Sequence, residues 1–394
     1  MEVAMQNLDL KNIDKTTWQT FRFEEIAEKI SKTVKPDEAD VDIYVGLEHI
    51  DANDLHIKRF GVPSDVKGGK LRCYPGDVIF GKRRAYQRKA AIVDFDGICS
   101  AHAFVFRAIS EVIEPELFPF FLHSDQFMHR MVDISVGGLS PTINWGDLKN
   151  QEFLLPPKDQ QKQMAELLWA MDDVIEKEKE VLKKLEENYI STIEKRLINK
   201  DSNKVYFSEL LDVIRGVNFK PEDLLENYTE DSCIILRSNN IFKSEINYND
   251  IRILSISKVK DLQILREGDF AICMSNGSKE LVGKAAQFNG ADEVVSIGSF
   301  CAGLRPKSKK NGTILKHLLH SLSYRYAIKR ILSGSAINNL KPSDIEELFL
   351  RMNIDNNLND LLNQLNSMSD NKSIIESKIN SSQALQKSLI NQIF

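Results

Sequence analysis

The densest chemistry in this chain lies in nine residues, GKRRAYQRK at 81–89, which hold five cations and no acid. Side chains of that kind neutralise phosphates, and an arginine also pairs bidentately with guanine in a major groove. Lys82, Arg83, Arg84, Arg88 and Lys89 are the candidate cations, Gln87 a candidate reader of adenine, and Tyr86 a group that can stack or bond a phosphate. The chain as a whole has a formal net charge of −5 over 394 residues, so any basic face is local. Charge acts over a Debye length of about 8–10 Å, which lets a basic face exist on an acidic protein. The plainer reading of the same stretch is a solvated turn.

A second segment, SNGSKELVGK at 275–284, offers Ser275, Asn276, Ser278 and Lys279 in place of the cations, although Asn-Gly is also an ordinary hairpin turn. Two glycine-bearing stretches supply further polar candidates. GGLSPTIN at 137–144 gives Ser140, Thr142 and Asn144, and SGSAINNL at 333–340 gives Ser335, Asn338 and Asn339. Glycine permits close approach to a phosphate, and equally stops a helix. Arg325, Lys329 and Arg330 fall within two turns of one helical pattern and either flank a nucleic acid or face water.

Catalytic signatures point elsewhere. DEAD at 37–40 and GxxxxGK at 76–82 are chance spellings, because Arg83 follows where a phosphate loop needs Ser or Thr and DVIF reads as strand. No Asn-Pro-Pro-aromatic loop and no glycine-rich cofactor motif is present. Cys73, Cys99, Cys233, Cys273 and Cys301 form no CxxC pair and read as buried thiols of a reducing compartment. His123 and His320 recur with no second ligand beside them, which favours hydrogen-bonding histidines over a metal site. A non-catalytic, cytoplasmic chain is expected, with no apolar run near the roughly 18–20 residues of a membrane span.

The elements that must position these residues come twice. FLHSDQFMHRMVDISVGG at 121–138 lies over LLHSLSYRYAIKRILSGS at 318–335 without a gap, and the register continues from Asp147-Leu148 to Asp344-Ile345. PGDVIF at 75–80 matches EGDFAI at 267–272, YVGLEHI at 44–50 matches ILRSNNI at 235–241, and FRFEEIAEKI at 21–30 matches VYFSELLDVI at 205–214. After each repeat comes a helical stripe with a coiled-coil period. The first is Met164, Leu168, Met171, Ile175, Leu182, Leu185, Tyr189, Ile193 and Leu197. The second is Leu358, Leu361, Leu365, Met368, Ile375, Ile379, Leu385 and Leu389. Pro156-Pro157 marks the first helix start with Asp159 as N-cap, and Asn353 or Asp355 caps the second. A helix from 159 to 199 is roughly 60 Å long. Glu178 and Lys372 interrupt the stripes, and either meet at an antiparallel seam or reach past it to water.

The expected architecture is α+β: two repeated α/β units, 1–157 and 201–352, separated by two long antiparallel coiled-coil helices, 158–200 and 353–394, with pseudo-two-fold symmetry. Two copies of one reading head at a fixed separation suit a long ligand with two related sites, as DNA is.

The sequence resembles the specificity (S) subunit of type I restriction-modification enzymes over essentially its whole length. The resemblance rests on PGDVIFGKRRAYQRKAAIV, on EGDFAICMSNGSKELVGKAA, and on the join GGLSPTINWGDLKNQEFLLPPKDQQKQMAELLWAMDDVI. In the second half the join lacks the double proline and the Gln pair. The resemblance implies target recognition domains that each read one half of a bipartite, asymmetric site in double-stranded DNA. It implies helices that space the domains and dock two methyltransferase (M) subunits, here through Met164, Leu168, Met171, Ile175, Leu182 and Leu185 and through Leu361, Leu365, Met368, Ile375 and Ile379. Restriction (R) subunits complete such a complex. S-adenosylmethionine, ATP and magnesium belong to the partner subunits, none to this chain, and the setting is a bacterial or archaeal cytoplasm. Competing readings are a coiled-coil scaffold with protein-binding ends, and a nuclease or methylase with an unrecognised site.

Overall fold

The repeated Gly-Asp pair shows how the sequence builds its strands. Gly76 and Gly268 adopt φ of 88° and 92°, a left-handed turn that suits glycine. The aspartate that follows is buried in each copy. Asp77 accepts the Tyr74 amide at 3.0 Å and pairs with Arg107 at 2.8 Å. Asp269 accepts the Arg266 amide at 2.9 Å and pairs with Arg305 at 2.7 Å. A buried carboxylate is tolerable only with such partners, so each pair fixes the entry to a central strand.

The computed structural model describes residues 15–242, 244–334, 338–353 and 357–394. The chain divides into two units, Met1–Glu180 with Glu376–Phe394, and Val181–Ile375. The first unit holds β1 (Gln19–Arg22), α1 (Phe23–Ile26), β2 (Ala27–Ile30), β3 (Thr33–Val34), β4 (Tyr44–Val45), β5 (Lys70–Cys73), β6 (Val78–Gly81), β7 (Ala90–Ile92), β8 (Gly97–Cys99) and β9 (Ala103–Ala108). It continues with α2 (Phe118–His123), α3 (Asp125–Asp133), α4 (Trp145–Leu148), β10 (Glu152–Leu155) and the start of α5 (Lys158–Thr192). Its sheets have the orders β2-β9-β6-β7, β3-β5-β8-β4 and β1-β10. A core of Phe23, Phe80, Phe106, Phe121, Phe127 and Phe153 lies between sheet and helices, with ring centroids such as Phe23–Phe106 at 5.0 Å.

The second unit repeats the pattern with β11 (Lys204–Tyr206), α6 (Phe207–Leu210), β12 (Leu211–Arg215), β13 (Ser232–Leu236), β14 (Ile241–Phe242), β15 (Glu245–Ile246), β16 (Arg252–Ser255), β17 (Phe270–Cys273), β18 (Ala285–Gln287), β19 (Val295–Ile297) and β20 (Cys301–Pro306). Then come α7 (Lys309–Leu318), α8 (Leu322–Ser333), α9 (Pro342–Glu346), β21 (Phe349–Arg351) and the start of α10 (Leu358–Ile393). The order β12-β20-β17-β18 reproduces β2-β9-β6-β7, and the parallel pair β13–β19 reproduces β4–β8. Ser124 and Ser321 recur because each caps a helix, accepting the amides of Phe127 at 3.2 Å and Tyr324 at 3.0 Å. All five cysteines are buried free thiols.

Helix α5 begins at Lys158, so Asp159 lies in its first turn rather than at the N-cap. Gln161 fixes this start: it is buried, donates to the carbonyls of Pro156 and Val112 at 2.8 and 2.9 Å, and accepts the Glu114 amide at 2.6 Å. The helix ends in a π-helical turn, Ile193–Leu197. Asn353 donates its amide to the Leu197 carbonyl at 3.0 Å and so precedes α10 rather than capping it, and Asp355 lies outside the described residues.

Candidate nucleic-acid interface

The basic stretch is folded back on itself. Arg84 and Arg88 both take left-handed conformations, φ 57° and 52°, on either side of a single 3-10 turn, Ala85–Gln87. Lys82 to Arg84 then leave β6 and pair with the Gly-rich stretch. The Ile143 amide donates to the Lys82 carbonyl at 2.9 Å, and the Arg84 amide to the Pro141 carbonyl at 2.7 Å, with Arg83 opposite Thr142. The Arg84 Nε donates to Ser140 Oγ at 3.1 Å. Two segments about sixty residues apart in sequence therefore form one face.

The second unit has the same ladder. The Leu340 amide donates to the Met274 carbonyl at 2.8 Å, the Asn276 amide to the Asn338 carbonyl at 3.4 Å, and Ser275 lies opposite Asn339. The ladder places Lys82, Arg83 and Arg84 where the other unit has Met274, Ser275 and Asn276. At the far end of the loop the Lys89 and Lys284 carbonyls accept the amides of Gly81 and Cys273, both at 2.9 Å.

Electrostatics separates the two faces. Arg83 and Arg84 are exposed, and Lys82 stands 5.2 Å over the Phe104 ring as Lys29 stands 5.4 Å over Trp145. Among the described residues no acid pairs with Lys29, Lys82 or Arg83. Partial burial, then the charges of Lys29 and Arg83, lower the Lys82 pKa, and burial, then Arg83, Lys82 and Lys70, lower that of His102. Desolvation leads in both, and the positive surroundings push the same way. On the second face Glu280 sits in the loop and pairs with Lys329 at 3.1 Å and Arg325 at 3.7 Å. Arg325 is further committed to the Val282 and Glu280 carbonyls.

The five cations are not equivalent. Arg88 is mostly buried, bonds Asn53 Oδ1 at 2.8 Å and the His123 carbonyl at 2.7 Å, and pairs with Asp125 at 2.8 Å. Lys89 donates to the Leu47 carbonyl at 2.6 Å. These two hold the loop, while Tyr86 is exposed and Gln87 half-buried. Asn144 stands at the N-cap position of α4 and its amide reaches Asp147 at 3.3 Å. In the second loop Asn276 Oδ1 accepts the Ser278 amide at 3.0 Å and Asn338 donates to the Gly277 carbonyl at 3.1 Å, so both brace the turn beside exposed Ser278 and Lys279. Ser335 lies outside the described residues. His123 is a hydrogen-bonding histidine: burial pushes its pKa down to about 4, and its Nε2 meets the Ala90 carbonyl at 2.8 Å.

Sequence reasoning missed His102 and Phe300. They occupy the same place, the residue before β9 and before β20. Phe300 is 69% exposed, and its carbonyl accepts the amides of Met274 and Ser275 at 2.9 and 3.2 Å. No spacing signal marks either residue, because only the strand pairing brings them to the loop.

Part of the chain is similar in sequence to known proteins. Residues 15–187 match the type I restriction modification DNA specificity domain. The specificity subunit of the StySPI type I restriction enzyme of Salmonella potsdam is 34% identical over 139 residues, and that of EcoKI from Escherichia coli K12 is 33% identical over the same length. The match takes in 35% of this chain and 30% of each relative, so it spans under a third of their length. Among solved structures, the S subunit of a type I system from M. genitalium has a TM-score of 0.55 at 13% identity, covering 97% of this chain and 98% of that one. A chain from a structure on complex assembly and conformational transition of the type I R-M system has a TM-score of 0.50 at 19% identity, covering 95% and 97%. These two likenesses establish the S-subunit fold.

The helical stripe after each repeat is not an open surface. In the first unit Met164, Leu168 and Ile175 are buried, with Met171 half-buried, and Leu389, Ile390 and Ile393 join the same core. There the two helical segments run antiparallel: the Gln386 amide meets the Leu168 carbonyl at 3.4 Å, and Glu178 pairs with Lys378 at 2.8 Å. In the second unit Leu361 and Leu365 are buried, Met368, Ile375, Leu182 and Leu185 half-buried, and Lys372 pairs with Glu186 at 2.9 Å. Ile379, in the first unit, is also buried. Glu178 and Lys372 each find an opposite charge within their own unit. Of the stripe residues expected to bind a partner, Met164, Leu168, Ile175, Leu361, Leu365 and Ile379 are buried and the other five half-buried, since an apolar stripe beside a second helix is covered first by that helix. The apolar residues left on the outside are Val174 and Val181 of α5 and Ile374 and Leu385 of α10, 49%, 53%, 64% and 63% exposed.

Proposed function

We propose that this chain is a non-catalytic DNA-reading subunit of a type I restriction-modification enzyme, in which each unit reads one half of a bipartite, asymmetric site in double-stranded DNA. The observation that carries this is the matched ladder: one backbone geometry presents Lys82, Arg83 and Arg84 in one unit and Met274, Ser275 and Asn276 in the other. A shared frame with different side chains is what two unlike half-sites require. Phosphate contacts fall to Lys82, Arg83 and Arg84, with Tyr86, Ser140 and Thr142 at the same edge. Arg88 and Lys89 support the loop. In the second unit Ser275, Ser278, Lys279 and Asn339 are the readers, with Asn276, Asn338 and Phe300 beside them.

Two M subunits dock on the outer faces of α5 and α10, where Val174, Val181, Ile374 and Leu385 are available, and R subunits join through that complex. The recognition domains in this reading are 1–157 and 201–352, with the helices 158–200 and 353–394 as spacers. S-adenosylmethionine, ATP and magnesium act in the partners, in the cytoplasm of a bacterium or archaeon. Among the described residues no helix is long and apolar enough to cross a membrane.

Base-resolution methylation sequencing of cells carrying this chain with its neighbouring methyltransferase tests the proposal. A split motif with two unlike halves, lost when this chain is deleted, is the expected result. An active, chain-bound methyltransferase that yields no such motif overturns it.

A further inference from the structure

The hairpin after α3 carries a side chain that its own unit does not use. Leu139 is 96% exposed. A single exposed apolar side chain is ordinary on a protein surface; what sets Leu139 apart is its fixed place beside the basic face.

The place is fixed. The amides of Val136 and Thr142 donate to each other's carbonyls at 3.1 and 2.9 Å, and Thr142 Oγ1 bonds the Ser140 carbonyl at 3.1 Å. Gly137, at φ 110°, makes the turn that lifts the tip. The base of the hairpin is the ladder to Lys82 and Arg84, and Ser140, next to Leu139, accepts the Arg84 Nε. An apolar tip therefore stands beside exposed Arg83 and Arg84.

We propose that Leu139 is a wedge that enters the base stack of the half-site read by the first unit, partly unstacking one step while the neighbouring arginines hold the flanking phosphates. Isobutyl is about as thick as the roughly 3.4 Å between stacked bases, and apolar wedges of this kind kink duplexes. Charge selects the occupant, because a tip beside unpaired cations suits a polyanion with an apolar interior. The wedge is one-sided: in the gap-free register of the two halves Leu139 falls on Ala336, too short to enter a stack. This inference rests on the DNA-reading proposal above.

The test uses the full chain co-purified with its methyltransferase. The probe is a duplex carrying the motif found by methylation sequencing, with 2-aminopurine placed singly at each position of both halves. Apart from any rise at the methylated positions, where a methyltransferase extrudes the base, a fluorescence rise at one further step, in one half only, is expected. Leu139→Ala should abolish it and weaken binding about tenfold, the loss of roughly one buried apolar group, and Leu139→Phe should retain it. The fold is not at risk, since Leu139 is almost wholly in solvent. An unchanged rise and affinity in Leu139→Ala overturn the wedge. So does a Leu139→Ala chain that loses methyltransferase binding without DNA, because the occupant is then a protein. Arg83→Ala with Arg84→Ala separates the two claims: if that pair loses no affinity, the DNA-facing reading itself fails, whereas a loss there with none in Leu139→Ala removes the wedge alone.

Discussion

The two loops that follow β6 and β17 have the same backbone bonds and different chemistry. In the first, three successive positions are cations with no acid near them. In the second they are Met274, Ser275 and Asn276, and Glu280 sits in the loop itself. The difference teaches that the ladder is a holder, and that what it holds is free to vary. The support differs too. Arg88 tolerates a left-handed backbone, which costs about 1–2 kcal/mol, because its guanidinium ties three segments together. The second unit solves the same turn with Gly283 at φ 80°, whose carbonyl accepts the Tyr324 hydroxyl at 2.7 Å.

The largest contrast should come from the loops themselves. Replacing Lys82, Arg83 and Arg84 with Ala should weaken DNA binding on the order of a hundredfold or more and flatten the salt dependence by nearly three units of slope. Replacing Ser275 and Lys279 should lower the slope by about one and relax sequence preference in one half-site only. Binding titrations over a salt series read both. Equal slopes for the two variants would break the comparison.

Next in size are the buried ion pairs. Arg305 keeps only 14% of its side chain exposed and Arg107 46%, so the charge stranded by Asp269→Ala is the more buried. The expected losses are about 3–4 kcal/mol for Asp269→Ala and about 2 kcal/mol for Asp77→Ala, measured by urea unfolding.

Acid should also separate the units. Burial pushes His317 and His320 of the second unit, and His123 of the first, down to about 4 from 6.5. Below about pH 6.5 the unfolded chain takes up protons that these folded imidazoles refuse, so stability falls as pH drops toward about 4. Each should cost roughly 2 kcal/mol at pH 5. The first unit has an offset. His56 meets Asp172 at 2.6 Å, and that hydrogen bond raises its pKa despite burial. Its contribution has the opposite sign: it is fully present below 6.5 and lost as pH rises through the folded value. The second unit should therefore lose more stability than the first between pH 7 and pH 5. Trp18, Trp145 and Trp169 all lie in the first unit, so over that range the far-UV circular dichroism transition should shift to lower urea by more than the tryptophan fluorescence transition.

The smallest effect compares the two left-handed positions. Gly283→Ala would place a Cβ 2.8 Å from Ile328 Cγ2 in a strained backbone, and should cost about 2 kcal/mol. Arg88→Gly relieves the strain while losing the Asp125 pair, and should cost about 1 kcal/mol. A larger loss at Arg88 would mean that the cation, rather than the turn, dominates.

Much of this was legible in the sequence. Of the four matched blocks, the Gly-Asp turn, the serine cap and the α1/α6 entry are each required by a local bond between near neighbours, whereas the parallel strand pair joins segments more than fifty residues apart. The candidate loops were legible by charge, but not the division of labour within them. Nothing in GKRRAYQRK distinguishes Arg84 from Arg88, because the Asp125, Asn53 and His123 groups that claim Arg88 lie 35 or more residues away. The stripe was legible as a helix face, but periodicity reports which face is apolar and not what covers it.

By itself the sequence determined the repeat, the order of strands and helices, and the local basic charge, since these follow from residue type and near-neighbour bonds. Tertiary structure alone decided that 82–84 pair with 140–143, that His102 and Phe300 stand beside the loops, and that Leu139 is left without a neighbour. Those outcomes depend on contacts between segments far apart in the chain, and the pairing of distant segments is set by the packing of the whole core.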